Sequence, residues 1–580
     1  MSAPETQSWP ARLRSAIALP ESVGWRDHVI GAGLAAVYVV WLLATARVLG
    51  FPRDEGVYFR AGSQYFNWWH ALHERGSDVM RRGMIDSAFS DNHEHPPLMK
   101  TLFGASAYFF HQKWEIFRDP TTAFRLPAMC TAGLALWTTY LFGARVWSRR
   151  AGLVAAFLLG LMPRVFFHAH LACFDVPIMA MWFWCIYVNW RALETGKITW
   201  AIAAGVVYGL ALATKHNAWF LPVALIPHAL FVRRGAMLAA LKRFRISLPA
   251  NLVAMAILGP LVLFASWPYL WNDTRPRLQW WFDFHMHHEY YNIEFLGKNY
   301  FDPPSPKSYL PVMVLATVPS ITLLLFAVGA YDRAKEAVRR LDAWARSRLR
   351  REAYDATVPR ATDTRGEPDL LLALSLGMAV APFFLSHTPI FGGTKHWLPA
   401  YPALALFAGR GFDLAATAMR AALPRLSEPR FRAAQVALFA SVVAAPLAET
   451  AHSHPFGLSA YVPLVGGTAG GADLGLNRQF WGYTTQNAAA EYLNAKAPSG
   501  ATVFIDDTTW DAWSHMQNEK RVRGDLRATG TPSDAQIALV QHELHMNEVD
   551  YTIWIALGTD APAYIVRQDG VPIVSVYRRP

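Results

Sequence analysis

Pro52-Arg53-Asp54-Glu55-Gly56-Val57-Tyr58 decides how this chain of 580 residues is read. It follows an apolar run at 31–50, long enough to cross a bilayer as a helix. Two adjacent carboxylates where such a helix meets water are costly to keep without a use, so ionisable groups at a membrane edge mark a functional site. The competing reading is a helix end that merely faces solvent. Taken alone the stretch does not separate the two, and the rest of the sequence does.

Outward from this stretch the apolar pattern recurs. The chain is 53% hydrophobic and 13% aromatic, and that content is divided among separate runs of roughly 15–25 residues, the length that spans a bilayer. After 31–50, spans are predicted near 122–146, 151–167, 177–190, 199–214, 218–232, 248–267, 309–330, 370–386, 397–412 and 433–449, about 11 in all. Residues 98–111 are also apolar. Counted as a span, they would turn Arg145, Arg149 and Arg150 outward, so they are read as an interfacial amphipathic helix. The strongly basic loops then share one side with residues 1–28, which carry Arg12, Arg14 and Arg26, as the positive-inside rule requires.

This predicts an α-helical polytopic protein of the plasma (inner) membrane. Residues 1–28 form a cytoplasmic segment and 29–450 a transmembrane domain with an extracytoplasmic loop at 51–121. Residues 451–580 form a small extracytoplasmic α/β domain. In that tail, Thr502-Val503-Phe504-Ile505, Tyr551-Thr552-Ile553-Trp554-Ile555 and Ile573-Val574-Ser575-Val576-Tyr577 read as strands. Helices are expected at 485–495 and 533–547. The first apolar run is too long for a cleaved signal peptide.

The net charge of +11 suggests nucleic acid, but the Lys and Arg lie between apolar runs, where orientation and anionic headgroups account for them. Membrane lipids are therefore partners and nucleic acid is not. The three cysteines, Cys130, Cys173 and Cys185, lie in or beside apolar runs, which excludes a disulfide framework and a cysteine metal site.

With this topology the unusual polar groups collect on the outer face: Asp54, Glu55, Tyr58, Glu94, His95, Lys100, His168, His170, Asp175, Lys215, His216, Lys395 and His396. Each alone could be a snorkelling interface anchor. Together they fit group transfer from a lipid-linked, phosphate-bearing donor. That reaction needs a carboxylate to take a proton from an acceptor hydroxyl and cations to offset charge on the departing phosphate.

Several elements resemble one family. Asp54-Glu55 after the first span, His95-Pro96-Pro97-Leu98 with Lys100, and Phe174-Asp175-Val176-Pro177 resemble the protein O-mannosyltransferases and, more widely, the aminoarabinose lipid A transferases. Ala213-Thr214-Lys215-His216-Asn217, Leu398-Pro399-Ala400-Tyr401-Pro402 and Trp481-Gly482 look like bacterial members of this group. The resemblance implies a GT-C fold and an inverting transfer from a polyprenyl-phosphate sugar to an acceptor protein, lipid or glycan. By position it makes Asp54 the general base, with Glu55 and Asp175 assisting, and puts Tyr58, His95, Lys100, Lys215 and Lys395 near the donor phosphate. The large folded insert of the eukaryotic enzymes between the seventh and eighth spans is absent, which turns attention to lipid A or cell-envelope glycan acceptors. A lipid-linked sugar transporter and an assembly scaffold are the readings from other classes. A divalent metal is a further possibility, on Glu94 with His168 and His170, or on His285, His287 and His288, which read more simply as an interfacial loop.

Overall fold

The computed structural model describes residues 22–580 apart from 350–352, 354, 356, 357, 359–365, 389, 391, 481–486, 507 and 544–546. Arg12, Arg14, Trp481-Gly482 and the start of the helix expected at 485–495 lie outside the described residues.

The first apolar run forms α1 (Trp25–Thr45) and a 3₁₀ turn to Val48. Pro52 then stands in extended backbone and caps a new helix, α2 (Arg53–Arg75). Asp54 and Glu55 therefore occupy the first turn of α2, where the helix dipole favours carboxylates. The stretch 51–121 is mostly helical. It continues into α3 (Leu98–Ser106), extended by a π-helical turn over Ala107–Lys113, where the interfacial helix was expected.

The bundle follows as α4 (Pro120–Val146), α5 (Arg149–Gly160), α6 (Pro163–Ala169), α7 (Asp175–Thr195), α8 (Ile198–Leu212), α9 (Leu221–Leu241) and α10 (Ala250–Ser266). After a helix at Thr274–Met286 come α11 (Tyr309–Thr317), α12 (Ser320–Leu349), α13 (Pro368–Val380), α14 (Tyr401–Ala422) and α15 (Glu428–Ser453).

Every predicted span thus falls on a helix or a helix pair, but length and hydropathy do not establish about 11 crossings. Among the described residues, three segments are long and apolar enough to cross a membrane: Trp25–Val48, His216–Leu241 and Glu428–Ser453. Two bent pairs, α5 with α6 at 70° and α11 with α12 at 117°, would bring the number to five. Pro163 at the start of α6 and Pro319 before α12 supply the breaks, since proline cannot continue the preceding helical ladder. The spans at 151–167 and 309–330 are broken helices rather than single rods.

Glycines let the helices touch. A Cβ on Gly104 of α3 would sit 2.1 Å from the carbonyl oxygen of Gly62 in α2, so only glycine permits that crossing.

The tail is a five-stranded sheet in the order β4 (Arg527–Thr529), β3 (Thr502–Phe504), β5 (Ile537–Gln541), β7 (Val571–Arg578) and β6 (Tyr564–Gln568). A separate hairpin, β1 (Ile293–Phe295) with β2 (Lys298–Tyr300), precedes it in the chain. In the tail, β3 runs parallel to β4 and β5, while β6 and β7 form an antiparallel hairpin. Asp569 and Gly570 both take positive φ at its turn, 49° and 80°, as a two-residue type I′ turn demands. Helices α16 (Asn487–Lys496), α17 (Trp510–Asn518) and α18 (Asn547–Leu557) accompany the sheet.

Two expectations for the tail are corrected. Residues 551–555 are helical, because Ile553 and Leu557, four apart, bury one helical face against the sheet. Residues 537–541, expected within a helix, are the strand β5. All five of its residues are buried between neighbouring strands, as a continuous apolar run in a sheet centre should be. One core cluster extends from Leu42 in α1 to Trp513 and Met516 in α17, so the tail packs on the bundle without an intervening gap in the core.

Candidate active site

Adjacent residues on a helix point about 100° apart, and α2 uses this to send its two carboxylates to different places. Glu55 is fully buried against Arg125 of α4, which donates from Nε to Oε1 at 2.7 Å and from Nη2 to Oε2 at 2.6 Å. The backbone N–H of Ala172 donates to the same Oε1 at 2.9 Å. The carboxylate is thus committed to a bidentate pair and a backbone bond. Glu55, expected to assist the base or bind acceptor, is held by Arg125 and by the Ala172 N–H. It pins the start of α2 to α4 and to the turn ahead of Asp175.

Asp54 keeps about 30% of its side chain exposed, with Arg53 Nε at 3.6 Å and the Tyr58 hydroxyl, one turn on, at 3.5 Å. The Tyr58 ring packs at 4.4 Å between centroids on Phe174, the residue before Asp175, and His95 lies 5.0 Å from Phe174. Asp175, in the first turn of α7, accepts from Lys215 Nζ at 2.6 Å in a nearly buried pair. Lys395, also buried, lies within electrostatic reach of Asp54, Asp175 and Lys215. Burial pushes its ammonium below the ordinary lysine range, and the two aspartates oppose that. The structure therefore brings together Asp54, Tyr58, His95, Asp175, Lys215 and Lys395 from five separated parts of the chain.

Other expected residues go elsewhere. Lys100 is buried in α3. Its Nζ donates to the Tyr65 hydroxyl at 2.9 Å, the His95 carbonyl at 2.8 Å and the Asn92 carbonyl. Those three acceptors use all its protons, so Lys100 holds the loop at 92–95 in shape and does not reach out to a phosphate. Burial draws it down to about 7, against Glu94 and Asp91. Burial, with Lys100 and His285 nearby, also holds His95 well below the ordinary histidine range.

The metal expectation fails on geometry. His170 contacts Thr45 Oγ1 at 2.8 Å and the Phe166 carbonyl at 2.8 Å, and it stacks on His454. Among the described residues no three His, Cys, Asp or Glu side chains converge as a metal site, either for Glu94, His168 and His170 or for His285, His287 and His288. His285 instead stacks on His216 at 3.9 Å and donates to the Glu94 carbonyl at 2.8 Å.

Sequence reasoning missed Arg125, which looks like an ordinary polar residue near a helix start. It also missed the tail's grip on α2. Thr509 Oγ1 donates to the Arg53 carbonyl at 3.2 Å, and Arg60 bridges Asp91 and Asp511. A Cβ on Gly56 would sit 2.6 Å from the backbone nitrogen of Ala512. No short-range signal announces contacts between residues more than 400 apart.

Apolar helices with carboxylates and lysines gathered at their ends make the chain similar to membrane glycosyltransferases of the GT-C kind. More particularly, residues 95–264, which carry His95, Asp175 and Lys215, match the family model of dolichyl-phosphate-mannose-protein mannosyltransferases. The match covers less than a third of the chain and bears out the resemblance read from its motifs. Among solved structures, the chain is similar to ArnT from Cupriavidus metallidurans bound to undecaprenyl phosphate, at 16% identity over 96% of this chain and 98% of that one, with a TM-score of 0.44. It is also similar to the archaeal oligosaccharyltransferase AglB from Archaeoglobus fulgidus in complex with an inhibitory peptide and a dolichol-phosphate. That likeness has 12% identity over 91% of this chain and 72% of that one, with a TM-score of 0.48. No curated protein matches the chain.

Proposed function

We propose that the protein transfers a sugar from a polyprenyl-phosphate donor to an acceptor hydroxyl on the extracytoplasmic side of the inner membrane, with inversion. The observation that carries this is the placement of Asp54. It is the partly exposed carboxylate of the cluster, whereas Glu55 and Asp175 are committed to Arg125 and Lys215. A general base must be reachable by the hydroxyl whose proton it takes. In this reading Asp54 takes the acceptor proton as the bond from the anomeric carbon to the phosphate oxygen breaks. Lys395 and Arg53 offset the charge that develops on the phosphate. Tyr58 and neutral His95 supply hydrogen bonds beside it. The Asp175–Lys215 pair orients the donor side of the cluster rather than donating a bare charge.

The test is transfer by purified protein from radiolabelled polyprenyl-phosphate sugars to extracted envelope acceptors, with wild type against Asp54→Asn. Loss of the base should lower the rate on the order of 10²–10⁴-fold while undecaprenyl phosphate still binds. An unchanged rate removes Asp54 from the role. The broken pairs α5–α6 and α11–α12 are the observation that favours a second reading, a lipid-linked sugar transporter, since transporters use discontinuous helices. Movement of intact donor across vesicles, without transfer by wild type, would establish it.

A further inference from the structure

Where the first apolar run ends, a cavity of about 380 Å³ lies between the bundle and the tail. That is within the range of small-molecule sites, about 300–1,000 Å³. Arg47 and Val48 line it at the end of α1, Asp119 at the start of α4, and Glu519, Lys520 and Arg521 just after α17 of the tail. The segment Trp25–Val48 is long and apolar enough to cross a membrane, so its end, and the cavity with it, sits at headgroup level. Val37, Val40, Ala44 and Val48, three or four residues apart, are exposed along one face of that segment and lead to the cavity. Trp114, shortly before Asp119 in the chain, is also exposed, and tryptophan is enriched where membrane meets water.

Three cations and two carboxylates line the cavity, and the carboxylates are committed. Glu519 accepts from Arg521 Nε at 2.8 Å and from the N–H of Thr121 at 3.0 Å. Asp119 caps α4, accepting from the N–H of Thr122 at 3.1 Å and from its hydroxyl. Arg521 also donates to the carbonyls of Arg47 at 3.3 Å and Leu49 at 2.8 Å. Arg47 keeps 77% of its side chain exposed, with Asp119 Oδ1 4.0 Å away, beyond hydrogen-bond reach. Lys520 is exposed and stands in left-handed backbone, with φ of 59°. Its N–H donates to the Gln517 carbonyl at 2.9 Å, and that of Arg521 donates to the Met516 carbonyl at 2.8 Å. This is the Schellman ending of α17, whose left-handed position is ordinarily glycine. A lysine there breaks a local rule, and such exceptions collect where a side chain is used.

We propose that this cavity binds the phosphate of an anionic glycerophospholipid between Arg47 and Lys520, with an acyl chain along Val37, Val40 and Ala44, and that the bound lipid braces the tail against α1. A phosphodiester offers acceptors to both cations. The lining carries one net positive charge, three cations against two carboxylates, which favours a headgroup without an ammonium. The brace follows from position. Arg47 belongs to the bundle and Lys520 to the tail, so one phosphate contacting both adds to the Arg521 bonds across the same joint and stabilises the docked tail by mass action. The site needs only that α1 crosses the bilayer, and it stands apart from the transfer reading.

The experiment is native mass spectrometry of the purified full-length protein, titrated with dioleoylphosphatidylglycerol or dioleoylphosphatidylcholine. Wild type is compared with Arg47→Gln, with Lys520→Gly and, as a charge control in the loop after α9, with Lys242→Gln. Glycine suits the backbone at 520, so Lys520→Gly removes the cation without disturbing the fold. Wild type and Lys242→Gln should retain one phosphatidylglycerol more tightly than phosphatidylcholine. Arg47→Gln and Lys520→Gly should each retain it about tenfold more weakly, the scale of one charge-assisted hydrogen bond. Phosphatidylglycerol should also slow protease cleavage within residues 451–580 in wild type, and not in the double variant of Arg47→Gln with Lys520→Gly. Equal retention of the two lipids, or phosphatidylglycerol binding unchanged in both single variants, overturns the site. So does displacement by inorganic phosphate alone, which would make it a plain anion site, or by undecaprenyl phosphate, which would give the cavity to the donor. Cleavage of wild type at the same rate with and without phosphatidylglycerol overturns the brace.

Discussion

Replacing Glu55 by Gln separates a structural carboxylate from a catalytic one. In the folded protein this group accepts two bonds from Arg125 and one from the Ala172 N–H, all between 2.6 and 2.9 Å, with both side chains essentially inaccessible to water. Arg125 also donates to the Gly50 carbonyl at 2.6 Å and lies over the Phe51 ring. Glu55→Gln removes the negative charge and leaves a buried guanidinium with backbone carbonyls and one amide oxygen. Breaking one side of such a pair costs about 3–5 kcal/mol, because the remaining charge stays desolvated. The apparent Tm should fall by roughly 3–4 °C. Arg125→Met should be comparably harmful. The double variant should lose less than the sum of the two, with a coupling of about 2 kcal/mol, since no charge is then stranded. The assay is thermal unfolding in detergent followed by intrinsic fluorescence, with transfer measured on the fraction still folded. Glu55→Gln should keep most of its transfer rate per folded molecule. A variant as stable as wild type within about 1 kcal/mol, yet unable to transfer, would refute the structural assignment and return Glu55 to the substrate.

Three further outcomes follow from other contacts. Gly104→Ala puts a Cβ 2.1 Å from the Gly62 carbonyl oxygen and must push α3 off α2, at a cost of about 1–3 kcal/mol read as a lowered unfolding midpoint. Lys215→Met strands the Asp175 carboxylate in a site that is 4% exposed, so it should lower stability by about 3–5 kcal/mol, and Asp175→Asn added to it should restore part of the loss. Lys100 titrates near 7 when folded, against 10.5 for an ordinary lysine. Between those values the unfolded chain binds the extra proton, so this group makes stability rise with pH from about 7 to 10.5 and leaves it flat at its lower level below 7. The rise should vanish in Lys100→Met when thermal midpoints are compared across that window.

The helices were legible because long apolar runs have few alternatives in a bilayer, but the breaks at Pro163 and Pro319 were not, since the effect of a proline depends on its packing context. The carboxylates at Asp54 and Asp175 were legible for a related reason: a charge beside an apolar run stands out. What sequence could not show was commitment. Asp54 and Glu55 look alike in the chain. The difference between them is set by helical rotation and by Arg125, 70 residues away. Lys100 and Lys215 carry the same charge and lie beside similar motifs, yet one closes on the carbonyls of its own loop and the other on Asp175. In the tail, the helix at α18 was taken for a strand because the β-branched and aromatic residues at 551–555 suit either structure. Only the sheet beneath it selects the face formed by Ile553 and Leu557.

Read from sequence, the tail is an appendage after the last span. In the fold, Ala512 meets the backbone at Gly56, Thr509 holds the Arg53 carbonyl, and Arg521 donates to the Leu49 carbonyl at 2.8 Å. These contacts bracket Asp54 on both sides along the chain, so the position of Asp54 depends on residues contributed from the opposite end of the protein. Glycine at 56 is what allows so close an approach, since any Cβ there would collide with backbone that cannot rotate aside. A Gly56→Ala variant should therefore loosen the tail before it unfolds the bundle, seen as faster proteolytic cleavage within residues 451–580 at temperatures where α1 to α15 still hold. Transfer should fall in step with that loosening. Equal protease resistance in the variant and wild type would mean that the tail is anchored elsewhere and that Asp54 is positioned by the bundle alone.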